Sequence, residues 1–199
     1  LRDLLQISEI EGTALPIKPA QSACNLTFEA IRSGESYLTD QIGLILPTSL
    51  CSGQIAQMVA GQLNSKQLGE RALSRYVALV HTEGCGVSGG SSEAIFSRTL
   101  MGYLTHPMVR LALALEHGCE KTHNDYIRHQ LQLMEYTPED FGWASVQLDG
   151  GIERVSKKVE RWFEENLHAA DTVYETAGIE HLSLAVAASE PLSEQTGRG

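Results

Sequence analysis

Long apolar runs and basic residues are both scarce in this sequence of 199 residues. It contains no run of about 18 apolar residues, which excludes a membrane-spanning helix. Lys and Arg number 15 against 25 Asp and Glu, so the formal net charge is −10. An acidic chain lacks the basic field that nucleic-acid phosphates require, so we expect no nucleic-acid partner. The apolar share of 42% is too high for a disordered chain.

Cysteine is also scarce, with only four residues, and the sequence shows no secretory signal. We therefore expect no disulfide framework, and we expect reduced thiols in a cytoplasmic protein. The absence of a CxxC pair argues against a zinc ribbon. The glycine-rich stretch at residues 84–92 lacks the GK[ST] ending of a phosphate-binding P-loop, and it does not match GxGxxG.

The first 40 residues carry no strong period, and Pro16 and Pro19 interrupt them. We interpret residues 1–40 as a lead-in segment or linker, 41–190 as one α/β domain and 191–199 as a disordered tail. The two ends of the sequence suggest a fragment of a longer enzyme, which we expect to be inactive on its own.

Short apolar runs recur from residue 42 onward, each typical of a strand that is buried on both faces. They cover residues 42–47, 76–81, 109–115 and 143–148, with a plausible fifth at 181–187. Helical apolar spacing follows the first four runs, most clearly at residues 152–163. This alternation predicts an α/β fold: an open, mostly parallel sheet of about four or five strands, with helices on both faces in Rossmann-like or flavodoxin-like layering.

Three of the four cysteines follow three successive runs. Cys51, Cys85 and Cys119 each lie in the loop after a predicted strand, beside Gly or Ser. Because the carboxyl ends of parallel strands share one edge of a sheet, we expect these sulfurs to lie together. Soft thiolates favour an iron–sulfur cluster, zinc or copper(I), with His81 or His117 as a further ligand. A cysteine nucleophile paired with His81 or His123 is the non-metal alternative, and each cysteine taken singly is more often a small buried apolar residue.

The same loops hold other candidates. Gly84 and Gly86 would let backbone amides approach a ligand closely, and Ser88 lies beside them. Glu83 and Glu120 each have three candidate roles, which are a base, a metal ligand and a solvated loop carboxylate. Lys121 is a candidate partner for an anionic substrate.

Three sequence blocks resemble the altronate and galactarate dehydratases. They are GLILPTSLCS at 43–52, HTEGCG at 81–86 and HGCEK at 117–121, and the resemblance extends over about residues 40–170. It implies the middle domain of an iron-dependent hydro-lyase that converts an aldonate or aldarate to a 2-keto-3-deoxy acid. It also carries over His81, Cys85, Cys119 and Glu120 from the strong motifs, and Cys51 from the first loop. The chain departs from the family pattern at Thr39-Asp40, where members carry Arg-Asn. It departs again at 187–191, where members carry Cys-Gly-Gly-Ser-Asp.

Together, these observations predict a metal-assisted dehydratase domain that acts on a small anionic sugar acid. The predicted metal ligands are Cys51, Cys85, Cys119 and Glu120, around Fe2+ or an iron–sulfur cluster. The predicted catalytic residues are His81 or Glu83 as base and His117 or His123 as acid. The predicted substrate-binding residues are Gly84, Gly86, Ser88 and Lys121.

The sequence also leaves open two alternative functions and predicts an oligomeric state. The alternative function is a non-catalytic module that binds a sugar acid or mediates assembly. A cysteine hydrolase is a third option, and a homo-oligomer is a further expectation. Sulfurs that point to different faces of the sheet would end the argument for a shared site.

Overall fold

The structure is a computed structural model, and it describes residues 25–69, 72–167 and 172–182. The strands are β1 (Thr27–Ser33), β2 (Ser36–Leu38), β3 (Ile42–Pro47), β4 (Arg75–Ala78), β5 (Val109–Glu116), β6 (Gly142–Ser145) and β7 (Tyr174–Gly178). The helices are α1 (Leu50–Ser65), α2 (Gly90–Leu104), α3 (Asn124–Leu133) and α4 (Ile152–Asn166). Short 3-10 turns cover Pro138–Asp140 and Ile179–His181. No helix in these ranges is long and apolar enough to cross a membrane.

Strands β3 to β6 form a parallel sheet in the order β4-β3-β5-β6. The chain moves outward from β3 to β4, then crosses back to β5 on the other side of β3. The strand order therefore reverses between β3 and β5, where the loops diverge and leave a crevice. This confirms the predicted α/β class with an open, mostly parallel sheet.

Helices cover both faces of this sheet, two on each. Helices α1 and α4 pack on one face against Ile45, Leu113 and Leu115, whereas α2 and α3 pack on the other against Leu44 and Leu46. Successive residues along β3, and likewise along β5, are buried on alternate faces of the sheet. Because both faces are covered by helices, each strand is a continuous apolar run in the sequence.

The spacing of apolar residues in helix α4 explains how this helix packs on the sheet. Val155, Val159 and Phe163 recur every fourth residue and are fully buried, while the other faces carry Lys, Glu and Arg. The Phe163 ring meets the rings of Tyr76 and Trp162 edge-on, at centroid distances of 4.9 and 5.0 Å. The contact with Tyr76 holds α4 against strand β4 of the sheet.

The second sheet was missed by the sequence analysis. Strands β2, β1 and β7 pair antiparallel in that order, with Thr27 opposite Gly178 and Ile31 opposite Leu38. Residues 27–33 and 36–38 therefore form two strands within the segment that the sequence predicts to be a lead-in or linker. Their pattern is weak because only Ala30, Ile31 and Leu38 are buried, so no sustained alternation marks them.

The fifth predicted strand is wrong in its described part. His181 closes the turn Ile179–His181, and the strand that follows α4 is β7, which joins the antiparallel sheet. Residues 183–187 lie outside the described ranges, as do residues 1–24 and the predicted tail at 191–199.

Candidate functional site

The candidate site occupies the carboxyl-end edge of the parallel sheet. The loops that follow β3, β4 and β5 meet there, on both sides of the point where the strand order reverses. Ligands of doubly wound sheets bind in this crevice because adjacent loops run to opposite faces and leave it open.

Three thiols converge at this edge. Cys51 lies in the first turn of α1, not in a loop as predicted, and Cys85 and Cys119 lie in the loops after β4 and β5. The Sγ atoms of Cys51 and Cys85 lie 3.8 Å apart, and those of Cys85 and Cys119 lie 3.4 Å apart. His117 adds an imidazole, with its Nδ1 3.3 Å from the Cys119 Sγ. The sulfurs therefore lie together, as the topology predicted, and their binding of a metal stays a prediction.

The central thiol is held in its protonated form when no cation is bound. The hydrogen bond with Cys119 is the largest cause, followed by burial and by the contact with Cys51. Together they raise the pKa of Cys85 to about 12. A bound metal ion would reverse this effect, because coordination deprotonates a thiol outright.

The donor set fits a soft metal, although no metal centre is preformed. In the described part of the chain, no group of three or more His, Cys, Asp or Glu side chains is arranged to hold an ion. Two thiolates on one tetrahedral ion with bonds of about 2.3 Å would lie about 3.8 Å apart. The observed separations of 3.8 and 3.4 Å are close to that value.

Glu120 organises the loop after β5. One carboxylate oxygen accepts hydrogen bonds from the Thr48 hydroxyl at 2.7 Å, the Ser49 hydroxyl at 3.0 Å and the His117 amide at 2.8 Å. The other accepts the amides of Gly118 at 2.6 Å and Cys119 at 2.8 Å.

The surroundings of Glu120 determine its charge. Burial, the largest influence, would raise the pKa of this side chain. The hydrogen bonds from Thr48 and from backbone amides outweigh burial and lower the pKa to about 2. Glu120 is therefore a buried, ionised carboxylate with five donors around two oxygens, and the geometry does not favour its predicted role as a metal ligand.

Backbone hydrogen bonds also join the three loops. The Leu50 amide donates to the Glu83 carbonyl at 2.7 Å, and the Lys121 amide donates to the Cys85 carbonyl at 3.3 Å. Together with the bonds of Glu120 to Thr48 and Ser49, they fix the relative positions of the three cysteines.

His81 and Glu83 lie beside an apolar cavity. The His81 Nε2–H donates to the Pro47 carbonyl at 2.9 Å, and its Nδ1 accepts the Glu83 amide at 3.2 Å. Both ring nitrogens are thus engaged, which fixes the neutral tautomer and orients the loop. Both residues line a cavity of about 540 Å³ together with apolar residues of β3, of the segment after β4 and of α2, including Leu79 and Phe96.

The remaining predicted residues are less constrained. Gly84 and Gly86 have open space where a side chain would point, and neither has a positive φ. Glycine is required instead at Gly89 and Gly90, with φ of 76° and 69° at the start of α2.

Ser88, Lys121 and His123 are exposed. No described residue forms an ion pair with the Lys121 ammonium. His123 lines a separate polar cavity between the ends of β5 and β6, away from the thiols.

Sequence reasoning missed a set of polar residues buried at these strand ends. They are Thr48, Ser49, Ser52, Glu116, Asn124 and Ser145. The available signal was that polar residues directly end or follow the apolar runs, as in the sequence PTS at 47–49.

The fold and this edge define a class: a doubly wound α/β domain whose ligand crevice is lined by thiols, an imidazole and a buried carboxylate. Residues 41–171 match the family described as D-galactarate dehydratase/altronate hydrolase, second domain. The chain therefore belongs to this family of sugar-acid dehydratase and hydrolase domains. Comparisons with curated proteins and with solved structures found no match.

Proposed function

We propose that this chain is the second domain of a hydro-lyase that dehydrates an aldonate or aldarate to a 2-keto-3-deoxy acid. Membership of the D-galactarate dehydratase/altronate hydrolase family supports the substrate class. The observation that carries the proposal is the convergence at the crevice of three thiols, one from the first turn of α1 and two from the loops after β4 and β5.

The proposed cofactor is a single Fe2+ held by Cys51, Cys85 and Cys119. Glu120 acts through the loop: its hydrogen bonds to the amides of Gly118 and Cys119 position the third thiol. When bound, the iron supplies a Lewis acid for the hydroxyl that departs.

The dehydration also needs a base and an acid from the protein. A base removes the proton from the carbon beside the carboxylate, the hydroxyl on the next carbon leaves as water, and the enol that remains becomes the 2-keto acid. We assign the base to Glu83, because its backbone is anchored at both N–H and C=O while its carboxylate is exposed. We assign the acid to His117, which contacts Cys119.

The other two histidines support this assignment by their surroundings. His81 already uses both ring nitrogens, so it positions the loop that carries Glu83. His123 lines a different cavity. Lys121 has an exposed ammonium that would hold the substrate carboxylate, and a local cation is needed on a chain of net charge −10.

The test measures both iron and activity. Anaerobically purified protein is titrated with Fe2+, and bound iron is measured after gel filtration for the unmodified chain, Cys85→Ser and the control Thr82→Ala. We expect about one iron per chain, unchanged in Thr82→Ala and lost in Cys85→Ser. Release of 2-keto-3-deoxy acid from D-galactarate and D-altronate is then measured with the domain joined to its neighbouring domains, because we expect the isolated chain to be inactive.

Two outcomes contradict the proposal in different ways. If the protein contains no iron and Cys85→Ser leaves its dehydration rate unchanged, then the proposed metal cofactor is wrong. A longer enzyme, carrying this domain with its neighbouring domains, that binds either acid without consuming it makes this domain a non-catalytic module, and the hydro-lyase assignment is then wrong.

A further inference from the structure

Cys85 lies between two other thiols, and all three are free. Its Sγ is 3.4 Å from that of Cys119 and 3.8 Å from that of Cys51. A disulfide bond is about 2.05 Å long, so the sulfurs of Cys85 and Cys119 must approach by about 1.4 Å to form one. The sulfurs of Cys85 and Cys51 must approach by more. The spacing therefore favours Cys85 and Cys119 as the pair that an oxidant would join.

The backbone already holds these two cysteines beside each other. The Lys121 amide donates to the Cys85 carbonyl at 3.3 Å, and the Cys119 amide donates to the Glu120 carboxylate at 2.8 Å. Cys51, in contrast, lies in the first turn of α1. Because a hydrogen bond ties the Cys85 backbone directly to the loop of Cys119, rotation of the two side chains brings their sulfurs together within the folded domain.

Cys119 is the member of this pair that an oxidant reaches first. It is exposed, whereas Cys85 is half-buried. The Nδ1 atom of His117 lies 3.3 Å from the Cys119 Sγ, where it can accept the thiol proton. A thiol beside an imidazole is the arrangement that activates cysteine nucleophiles. Cys119 is thus placed to attack an oxidant, and Cys85 is placed to react with the product.

We propose that Cys119 and Cys85 form a reversible disulfide when a hydroperoxide meets the metal-free domain. The Cys119 sulfur attacks the terminal oxygen of the peroxide, the O–O bond breaks, and the alkoxide leaves as an alcohol with the proton that Cys119 gave to His117. The Cys85 sulfur then attacks the sulfur of the sulfenic acid, the S–O bond breaks, and the hydroxide leaves as water with the Cys85 proton. The two thiols lose two electrons, which reduce the peroxide to one alcohol and one water. A dithiol restores both thiols by exchange.

The disulfide would control the loading of the metal. It uses two of the three thiols that the proposed function assigns to Fe2+, and only this consequence rests on that function. Thiol ligands must be free and deprotonated to bind a metal ion. Oxidation of the metal-free domain therefore blocks loading until a reductant reopens the pair.

The first test maps the linked cysteines. The metal-free 199-residue chain is treated with hydrogen peroxide, alkylated and digested with trypsin, which cleaves at Arg98 and Arg110, between the two cysteines. Mass spectrometry should find the peptides of Cys85 and Cys119 linked within one chain, and a dithiol should separate them. The matched controls Cys51→Ser and Cys24→Ser should both retain this link. Any other pair as the main product, or oxidation to sulfinic acids without a link, would overturn the proposal.

The order of the two steps is tested by trapping the sulfenic acid with dimedone. In Cys85→Ser the sulfenic acid has lost its proposed partner, so dimedone should label Cys119. Dimedone on Cys85 in Cys119→Ser, with none on Cys119 in Cys85→Ser, would contradict the assignment of Cys119 as the first thiol to react.

A metal-uptake experiment separates the disulfide from the proposed metal site. Reduced and oxidised chains are incubated with Zn2+, which thiolates bind and which has no redox chemistry of its own, and bound zinc is measured after gel filtration. We expect about one zinc per reduced chain and at least a tenfold lower content in the oxidised chain. Zinc that binds both forms equally contradicts the control of loading. A chain that forms the disulfide but binds neither Zn2+ nor Fe2+ when reduced leaves the disulfide standing and removes the proposed metal site.

Discussion

Replacing Glu120 by Gln tests whether a buried anion stabilises the cysteine-bearing loops. Its carboxylate accepts five hydrogen bonds, and they lower the pKa of Glu120 from 4.5 to about 2. A group whose pKa is lower in the folded state stabilises the fold above its unfolded pKa and loses that effect as pH falls. The shift corresponds to about 3 kcal/mol at pH 7, because a tenfold change in acidity corresponds to 1.36 kcal/mol.

The assay is urea unfolding of the unmodified chain and Glu120→Gln at several pH values. We expect the difference in unfolding free energy to be about 3 kcal/mol at pH 7 and less than half of that at pH 3. Glu35→Gln is the control, because Glu35 is exposed and should change the unfolding free energy by less than about 0.5 kcal/mol. A difference that is the same at pH 7 and pH 3 would refute the reasoning, because the stabilisation would then not depend on the charge of Glu120.

Two further substitutions test the hydrogen bond from Thr48 to Glu120 and the close packing around Gly142. Thr48→Val removes the hydroxyl that donates to Glu120 at 2.7 Å and should cost about 1.5–3 kcal/mol in urea unfolding. Thr99→Val, which loses only an exposed bond to the Ile95 carbonyl, is its control, and an equal loss in both would contradict the prediction. Gly142→Ala would place a Cβ 2.7 Å from side-chain atoms of Leu113 and Trp162 and should destabilise the fold by about 1–3 kcal/mol. Gly61→Ala, on open α1 surface, should be neutral or stabilising, and a Gly142→Ala protein as stable as the unmodified chain would show that the sheet relaxes around the added methyl group.

The parallel sheet was predictable because its signals are local. The apolar run at 42–47 matches β3 residue for residue, and the spacing of Val155, Val159 and Phe163 predicts α4. The convergence of the cysteines followed from topology alone, since each lies just after a parallel strand. None of these predictions needed knowledge of a side-chain contact.

The unpredicted features depend on contacts between distant parts of the chain. Glu120 is bonded to Thr48, which lies 72 residues earlier, and nothing near either residue indicates that they meet. The antiparallel sheet could not be predicted because β1 pairs with β7, which lies almost the whole domain away in the sequence. In addition, Tyr174 and Glu175 in β7 are exposed, so the strand lacks a buried apolar pattern. Only the fold reveals that the Glu120 carboxylate is an internal anchor, whereas the neighbouring thiols remain accessible.

The pairing of β1 with β7 also determines how the domain responds to force. Thr27, at the start of β1, lies opposite Gly178, at the end of β7, so the two strands run antiparallel from a common end. Tension applied through the chain at these two residues would part the ladder one residue pair at a time, as a zipper opens. The hydrogen bonds of the parallel sheet would not share this load until the ladder had opened. Under such tension, the antiparallel pair would therefore open before the loops near the cysteines carry the load.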